Sequence, residues 1–317
     1  MDIENKSCDI VYHYCNMDTF NKIISNKELW LTDITKSNDS IKIFWIKDSI
    51  KNIFIEEYDK SFLNKILFKN TVIEVFDTYL NDFFDDNNMP YYFFVCCFSE
   101  EGDLLSQWRG YADDGKGIAI GFDAHILSKA GKLMKHDSIS SNTIENGKII
   151  YDQKEQQNII SALVRGMISN LISLIKKNNP NNLKINNFMK IPEIRSDFMK
   201  IMNEYFLCFF KISVFMKNPF FLEENEWRIC HCNSGEPIKK GFKIAETNGF
   251  EISQRKFYFS ESNIKSRVEL RFNKVKEQLI REVVLGPKCV ADTKEIEAYL
   301  LSNEIKCEVK KSKGTYR

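Results

Sequence analysis

Residues 91–123, YYFFVCCFSEEGDLLSQWRGYADDGKGIAIGFD, constrain the fold more than any other part of the chain. Seven apolar or aromatic residues, 91–97, are long enough for a buried strand, which Phe98 and Ser99 close. Glu100, Glu101, Gly102 and Asp103 supply a turn. Leu104, Leu105, Trp108 and Tyr111 then recur at helical spacing, and Asp113, Asp114 and Gly115 stop that helix. Residues 117–122 read as a returning strand. Ser99, Glu100, Gln107 and Arg109 fall at element ends, where sites are commonly built. An ordinary strand–helix–strand unit, with Ser99 merely capping the helix, fits the same residues.

Around this unit the periodicity predicts an α+β fold. Strands are expected at 10–15, 28–32, 147–151, 226–232, 256–259, 267–272, 280–285 and 305–310. Asp18 or Thr19 is placed to cap a helix carrying Phe20, Ile23 and Ile24, and a last helix falls near 293–301. Two blocks, about 41–84 and about 152–217, carry apolar residues at helical spacing, the second interrupted at 178–182 and at Pro192. Mostly antiparallel strands with segregated helices predict mixed sheets, with both blocks inserted into a single domain spanning 1–317.

Composition excludes several classes. An apolar fraction of 43%, with 25 Phe, supports a filled core rather than disorder. With 45 basic and 44 acidic residues, binding of duplex nucleic acid driven by bulk charge is disfavoured, while a local basic patch is not. No apolar signal core opens the chain and no run approaches a membrane span, so a cytoplasmic protein with reduced thiols is expected. Nine irregularly spaced cysteines agree with that.

Glu224 and Glu226 lie two apart at the entry to a strand, so their side chains point to one face. So placed they repel, unless they hold a cation or a polyhydroxy ligand; a solvated edge is the plainer reading. Cys230-His231-Cys232 does not make a metal site, because alternate strand residues point away from the middle one and no second pair lies at metal-like spacing. Phosphate-loop, dinucleotide, nucleophile-elbow and zincin motifs are absent from the sequence. Asp39, Glu100, Asp103, Glu224 and Glu226 are the oxygen ligands a metal-dependent nuclease would use.

The chain resembles the bacterial domain of unknown function 2971 family in Tyr12-His13-Tyr14, Asn38-Asp39, Cys97-Phe98-Ser99, Trp108, Tyr111-Ala112-Asp113, Gly117, Glu224/Glu226/Arg228 and Leu285-Gly286-Pro287. It departs from that family at Ser40, where the Asn-Asp pair is usually followed by Pro. A looser resemblance, to the ADP-ribosyltransferase superfamily, rests on a first-strand His, an aromatic-Ser strand end and a Glu-x-Glu strand entry in that order. It implies a split sheet and an NAD-consuming enzyme. His13 and Tyr14 would then fix NAD, Ser99 would support the nicotinamide-ribose pocket, Glu226 would hold the ribose hydroxyl, and Glu224 would face the acceptor. Trp108 and Tyr111 offer aromatic faces for nicotinamide or adenine, and Arg109 suits the diphosphate. Expected partners are NAD and an acceptor that is protein, nucleic acid, a small molecule or water, with no membrane and with self-association left open. The expected role is that of a toxin or an anti-phage defence effector. The alternative to an enzyme is a non-catalytic sensor or interaction module on the same scaffold.

Overall fold

The computed structural model describes residues 9–36, 46–85, 91–131, 142–178, 190–234, 246–260 and 263–314. The chain divides into two compact units, one of Met1–Ser37, Tyr92–Ile149 and Leu222–Arg317, the other of Asn38–Tyr91 and Ile150–Phe221. The elements of the first are β1 (Ile10–Cys15), α1 (Met17–Asn26), β2 (Glu28–Asp33), β3 (Tyr91–Ser99), α5 (Leu105–Tyr111), β4 (Ile118–Asp123), α6 (Ala124–Ser128) and β5 (Asn142–Lys148), then β6 (Glu226–Ser234), β7 (Glu246–Thr247), β8 (Phe250–Ile252), β9 (Lys256–Ser260), β10 (Asn263–Arg271), α9 (Lys276–Leu279), β11 (Ile280–Leu285), α10 (Thr293–Ser302) and β12 (Glu308–Lys311). The second holds α2 (Lys47–Lys60), α3 (Leu63–Ile66), α4 (Lys69–Phe83), α7 (Gln153–Asn178) and α8 (Pro192–Val214).

All twelve described strands belong to one sheet, along the path β12-β11-β4-β1-β3-β2-β10-β8-β7, with β6 on β3, β5 on β6 and β9 on β10. β1 with β3 and β4, β2 with β3 and β10, β5 with β6 and β4 with β11 pair antiparallel, whereas β11 and β12 run parallel. β3 therefore has three partners. A strand has only two edges, so two of its partners, among β1 paired at Ser99, β2 paired at Phe94 and Val95, and β6, divide one of them. The sheet forks there.

One face of this sheet holds the main core: Val11 and Cys15 of β1, Phe94, Cys96 and Phe98 of β3, Ile118, Ile120 and Phe122 of β4, and Trp227 and Ile229 of β6. Phe20, Ile23 and Ile24 of α1 and Ile296 and Leu300 of α10 close over it. Period-two alternation sends the intervening residues to the other face, where Tyr14, Trp108, Ala112, Ala119 and Val284 make a smaller cluster under α5. α1 is capped by Asn16, whose side chain accepts from the Thr19 amide at 2.8 Å, not by Asp18 or Thr19. Ser99 lies inside β3 and caps nothing; Leu104 precedes α5 without a side-chain cap.

The apolar stripes of both helical blocks are satisfied within the second unit. Phe54 of α2 stacks on Phe76 of α4 at 3.7 Å, and Phe76 and Phe83 meet Phe206 of α8 at 5.4 and 5.7 Å. Pro192 starts α8 at its first turn instead of interrupting a helix, because its missing N–H has no partner to lose there. α7 is long and apolar enough, by length and composition, to cross a membrane, which corrects the expectation that no run approaches a span. Ile160, Val164, Met167, Leu171 and Ile175 form a buried stripe along it. The interruption at 179–182 and the Asn38-Asp39 loop lie outside the described residues.

Two features lock the turn after α5. Asp113, Asp114 and Gly115 take φ of 48°, 53° and 86°, three left-handed residues in a row. The Gly286 and Lys288 amides donate to the Gly117 and Gly115 carbonyls at 3.0 and 2.9 Å, so a Cβ on Gly286 would run into that backbone. Asp103 gathers the other side: Trp108 Nε1 donates to its Oδ1 at 2.8 Å, Ser312 Oγ at 2.5 Å, and the Lys313 amide reaches Oδ2 at 2.7 Å. Burial alone would raise this carboxyl, but those hydrogen bonds outweigh it and hold Asp103 below its ordinary range.

Gly286→Ala should lower stability by about 1–3 kcal/mol in urea unfolding, as for an overpacked site, whereas Gly110→Ala, open at its Cβ within α5, should be neutral or raise it by about 0.5–1 kcal/mol. A depressed folded-state pKa stabilises above the unfolded value of about 3.9 and is lost as pH falls through the folded one. The unfolding midpoint of the native chain should therefore fall below about pH 4, and Asp103→Asn should flatten that dependence while lowering the midpoint at pH 7.

Candidate functional site

β1, β3 and β6 carry the three sequence motifs and are hydrogen-bonded neighbours, with β3 in the middle. Their alternation sorts the motif residues onto two faces. Trp227 and Ile229 join the main core, so Glu226 and Arg228 point to the opposite face. Phe98 likewise faces the core and sends Cys97 and Ser99 the other way. Tyr12 pairs with Ser99, and Tyr14 lies two residues further along the same face.

Ser99 joins the strand end to the Glu-x-Glu entry. Its hydroxyl donates to the Glu224 carbonyl at 2.8 Å and accepts from the Glu101 amide at 3.1 Å, while the Glu100 amide donates to the Asn225 carbonyl at 2.9 Å. Tyr14 braces the same turn, donating to the Glu101 carbonyl at 2.7 Å and accepting from the Leu104 amide at 3.0 Å. Its phenol is pushed up, chiefly by burial.

Glu226 and Arg228 form a buried bidentate pair, side chains 6% and 3% exposed, with Nε to Oε1 at 2.6 Å and Nη2 to Oε2 at 3.0 Å. Spacing of two on a strand sets them side by side, the same rule applied in the sequence to the two glutamates. Arg228 is thus the partner that sequence reasoning left without a role. The Cys97 thiol hydrogen-bonds to Glu226. It keeps solvent access, yet desolvation raises it well above the ordinary thiol range, with the Glu226 charge adding and Arg228 opposing. The raised thiol is a donor to Glu226.

Several expected placements are corrected. Glu224 and Glu226 do not share a strand face: Glu224 ends a 3-10 turn, Pro219–Glu224, and Asn225 at φ 42° swings the chain before β6 begins. His13 does not join Ser99 and Glu226. It pairs with Ile120, tilts against Phe98 at 5.7 Å, and so occupies the core side of the sheet, with Nδ1 3.0 Å from the Cys97 carbonyl. Burial lowers its pKa, which that hydrogen bond partly offsets, so it is neutral at pH 7. Trp108 is 1% exposed and offers no face to a ligand. Arg109 and Tyr111 stand exposed on α5.

Among the described residues no three His, Cys, Asp or Glu side chains gather to hold a metal ion. Of the carboxylates considered for a nuclease, Asp39 lies outside the described residues, Glu100 pairs with Lys148 at 2.5 Å, Asp103 serves Trp108 and Ser312, and Glu226 is clamped by Arg228. Cys230 and Cys232 are free thiols, as is every other described cysteine. What the arrangement offers chemically is a carboxylate fixed in orientation by a guanidinium, beside a serine that ties its strand entry to β3.

No curated protein and no solved structure matches the chain. Residues 107–229, which run from α5 through the Glu-x-Glu-x-Arg entry of β6 and include Trp108, Tyr111, Gly117, Glu226 and Arg228, match the model of the family described as "Protein of unknown function (DUF2971)".

Proposed function

We propose that the chain is an NAD-consuming transferase of ADP-ribosyltransferase type, working on the sheet face that carries Tyr14, Ser99 and Glu226. One observation carries this reading: the Ser99 hydroxyl bound to the Glu224 carbonyl joins the aromatic-Ser strand end to the Glu-x-Glu entry on adjacent strands, with Ser99 and Glu226 on one face. The fork at β3, which pairs with β1, β2 and β6, is consistent with a split-sheet plan. Nicotinamide leaves a cationic donor as a neutral molecule, so no general acid is needed. What needs stabilising is an oxocarbenium-like transition state, and a carboxylate held in place does this without reorganising. Arg228 fixes both oxygens of Glu226 and tempers its charge. His13 acts through the Cys97 carbonyl as a positioning residue, and Arg109 and Tyr111 on α5 are the diphosphate and ring contacts. Glu224 serves the acceptor, which is protein, nucleic acid, a small molecule or water. A cytoplasmic toxin or defence effector is the role such an activity fits.

The buried bidentate pair favours a second reading. A carboxylate already neutralised by its own strand is what a non-catalytic sensor or interaction module would retain as framework.

Nicotinamide release from NAD by the purified chain, with and without candidate acceptors, separates the two. The transferase reading expects release, a loss of about a hundredfold or more in Glu226→Gln, and survival of activity under metal chelation. Binding of NAD without turnover under every acceptor condition would support the module, and a folded sample that binds no NAD would refute the transferase. Arg228→Leu should lower stability by about 3–5 kcal/mol in denaturant unfolding, because it strands a buried carboxylate, so Glu226→Gln is to be read only beside its own melting curve.

A further inference from the structure

α5 buries an amide that the fold does not use. Gln107 is 8% exposed, yet among the described residues no hydrogen bond reaches its side chain. Buried polar side chains are nearly always bonded, so an orphaned one needs an explanation. Ser106 Oγ, the polar group before it on the helix, also lacks a partner, but it is sealed from solvent and out of a ligand's reach. Gln107 keeps a small opening. Tyr111, 53% exposed, stands four residues on and therefore shares a flank of α5 with Gln107. Ala112, packed with Ala119 of β4 and Val284 of β11, lies about 140° away around the helix, so this flank is turned from those strands. The helix itself is fixed beside the Ser99 turn, because Tyr14 accepts from the Leu104 amide at 3.0 Å and meets the Trp108 ring edge-on at 4.7 Å.

We propose that Gln107 holds the carboxamide of nicotinamide, with the Tyr111 ring against the pyridinium, so that the site distinguishes nicotinamide from nicotinic acid. This deepens the transferase reading and rests on it, since nicotinamide is the group next to the ribose that Glu226 would grip. A glutamine side chain offers an acceptor beside two donors, and a primary carboxamide offers the same, so the two pair head to tail through two hydrogen bonds. Nicotinate has acceptors alone: one bond survives, and the Gln107 oxygen is left facing a carboxylate oxygen. The electron-rich face of a phenol ring favours a cationic pyridinium. Adenine also presents a donor beside an acceptor, but it lies across the diphosphate from that ribose.

The test titrates the full chain with NAD and with its nicotinic-acid counterpart by calorimetry, while nicotinamide release is followed in the same samples. NAD should bind at least tenfold more tightly, or show that ratio in kcat/KM where it is consumed. Gln107→Leu should bring the ratio close to one. It should also melt no earlier than the native chain, because an apolar side chain of like size replaces a buried amide that has no bond to lose. An earlier melt would show the amide serving the fold and would count against the proposal. Tyr111→Ala, at an exposed position, should weaken both dinucleotides alike and leave the ratio standing. Equal affinity of the native chain for the two, or a preference that outlives Gln107→Leu, would overturn the assignment. Equal weakening of both by Gln107→Leu would do so too, placing adenine on that amide. Preference for NAD without nicotinamide release leaves this inference standing and refutes the transferase, and release without preference does the reverse. A folded chain that binds neither dinucleotide sinks both.

Discussion

The divided edge of β3 is the constraint on which the first unit depends. A nine-residue strand with one unbroken neighbour on each side would make a plain sheet. Here β1 pairs at the Ser99 end, β2 at Phe94 and Val95, and β6 is a third partner, so one edge of the strand is divided. The backbone groups of a buried strand have to be matched somewhere, and three partners share this one. At the Ser99 end a side-chain hydroxyl and a backbone amide hydrogen-bond to the Glu224 and Asn225 carbonyls at the entry of β6.

Charge burial follows the same logic twice. Glu226 takes both arms of Arg228, and Glu269, 2% exposed at the side chain, is met by Lys256, Arg267 and Arg271 within 3.3 Å. Desolvation opposes the ionised form of Glu269, yet the surrounding donors win and hold it below the ordinary range. Such groups add little net stability over well-packed apolar ones, but removing one partner leaves a charge with nowhere to go. They specify which strand lies beside which more than they strengthen the pairing. Arg267 flat over Trp30 at 3.3 Å adds a contact that a lysine could not reproduce.

Much of this was legible from periodicity. The six apolar-rich positions of β1 and of β11 gave their strands to the residue, and the stripes of α2, α4, α7 and α8 announced helices needing cover. The strand sought at 147–151 formed instead at Asn142–Lys148: the apolar Ile149 and Tyr151 drew the reading, but pairing with β6 along a polar segment overrode local preference. At the site, order along the chain points to strands that do adjoin, whereas parity decides which side chains meet. His13 and Tyr14 are consecutive and cannot face the same way, so a role for both at one ligand was excluded by alternation alone. The left-handed Asn225 was invisible, since Asn tolerates but does not demand that conformation.

The interleaving of the two units has a consequence for synthesis. The second unit is complete once Phe221 has been made, but the first waits for β11 and β12 near the end of the chain, because β4 gains its second neighbour only from β11. At about 5–20 residues per second, β1, β3 and β4 stand for several seconds with an unfinished sheet after the helical unit can already close. A ribosome-bound chain of this kind would present the Phe- and Ile-rich face of β3 and β4 to chaperones during that interval, and the order of translation, more than equilibrium stability, would govern how much of it reaches the native state.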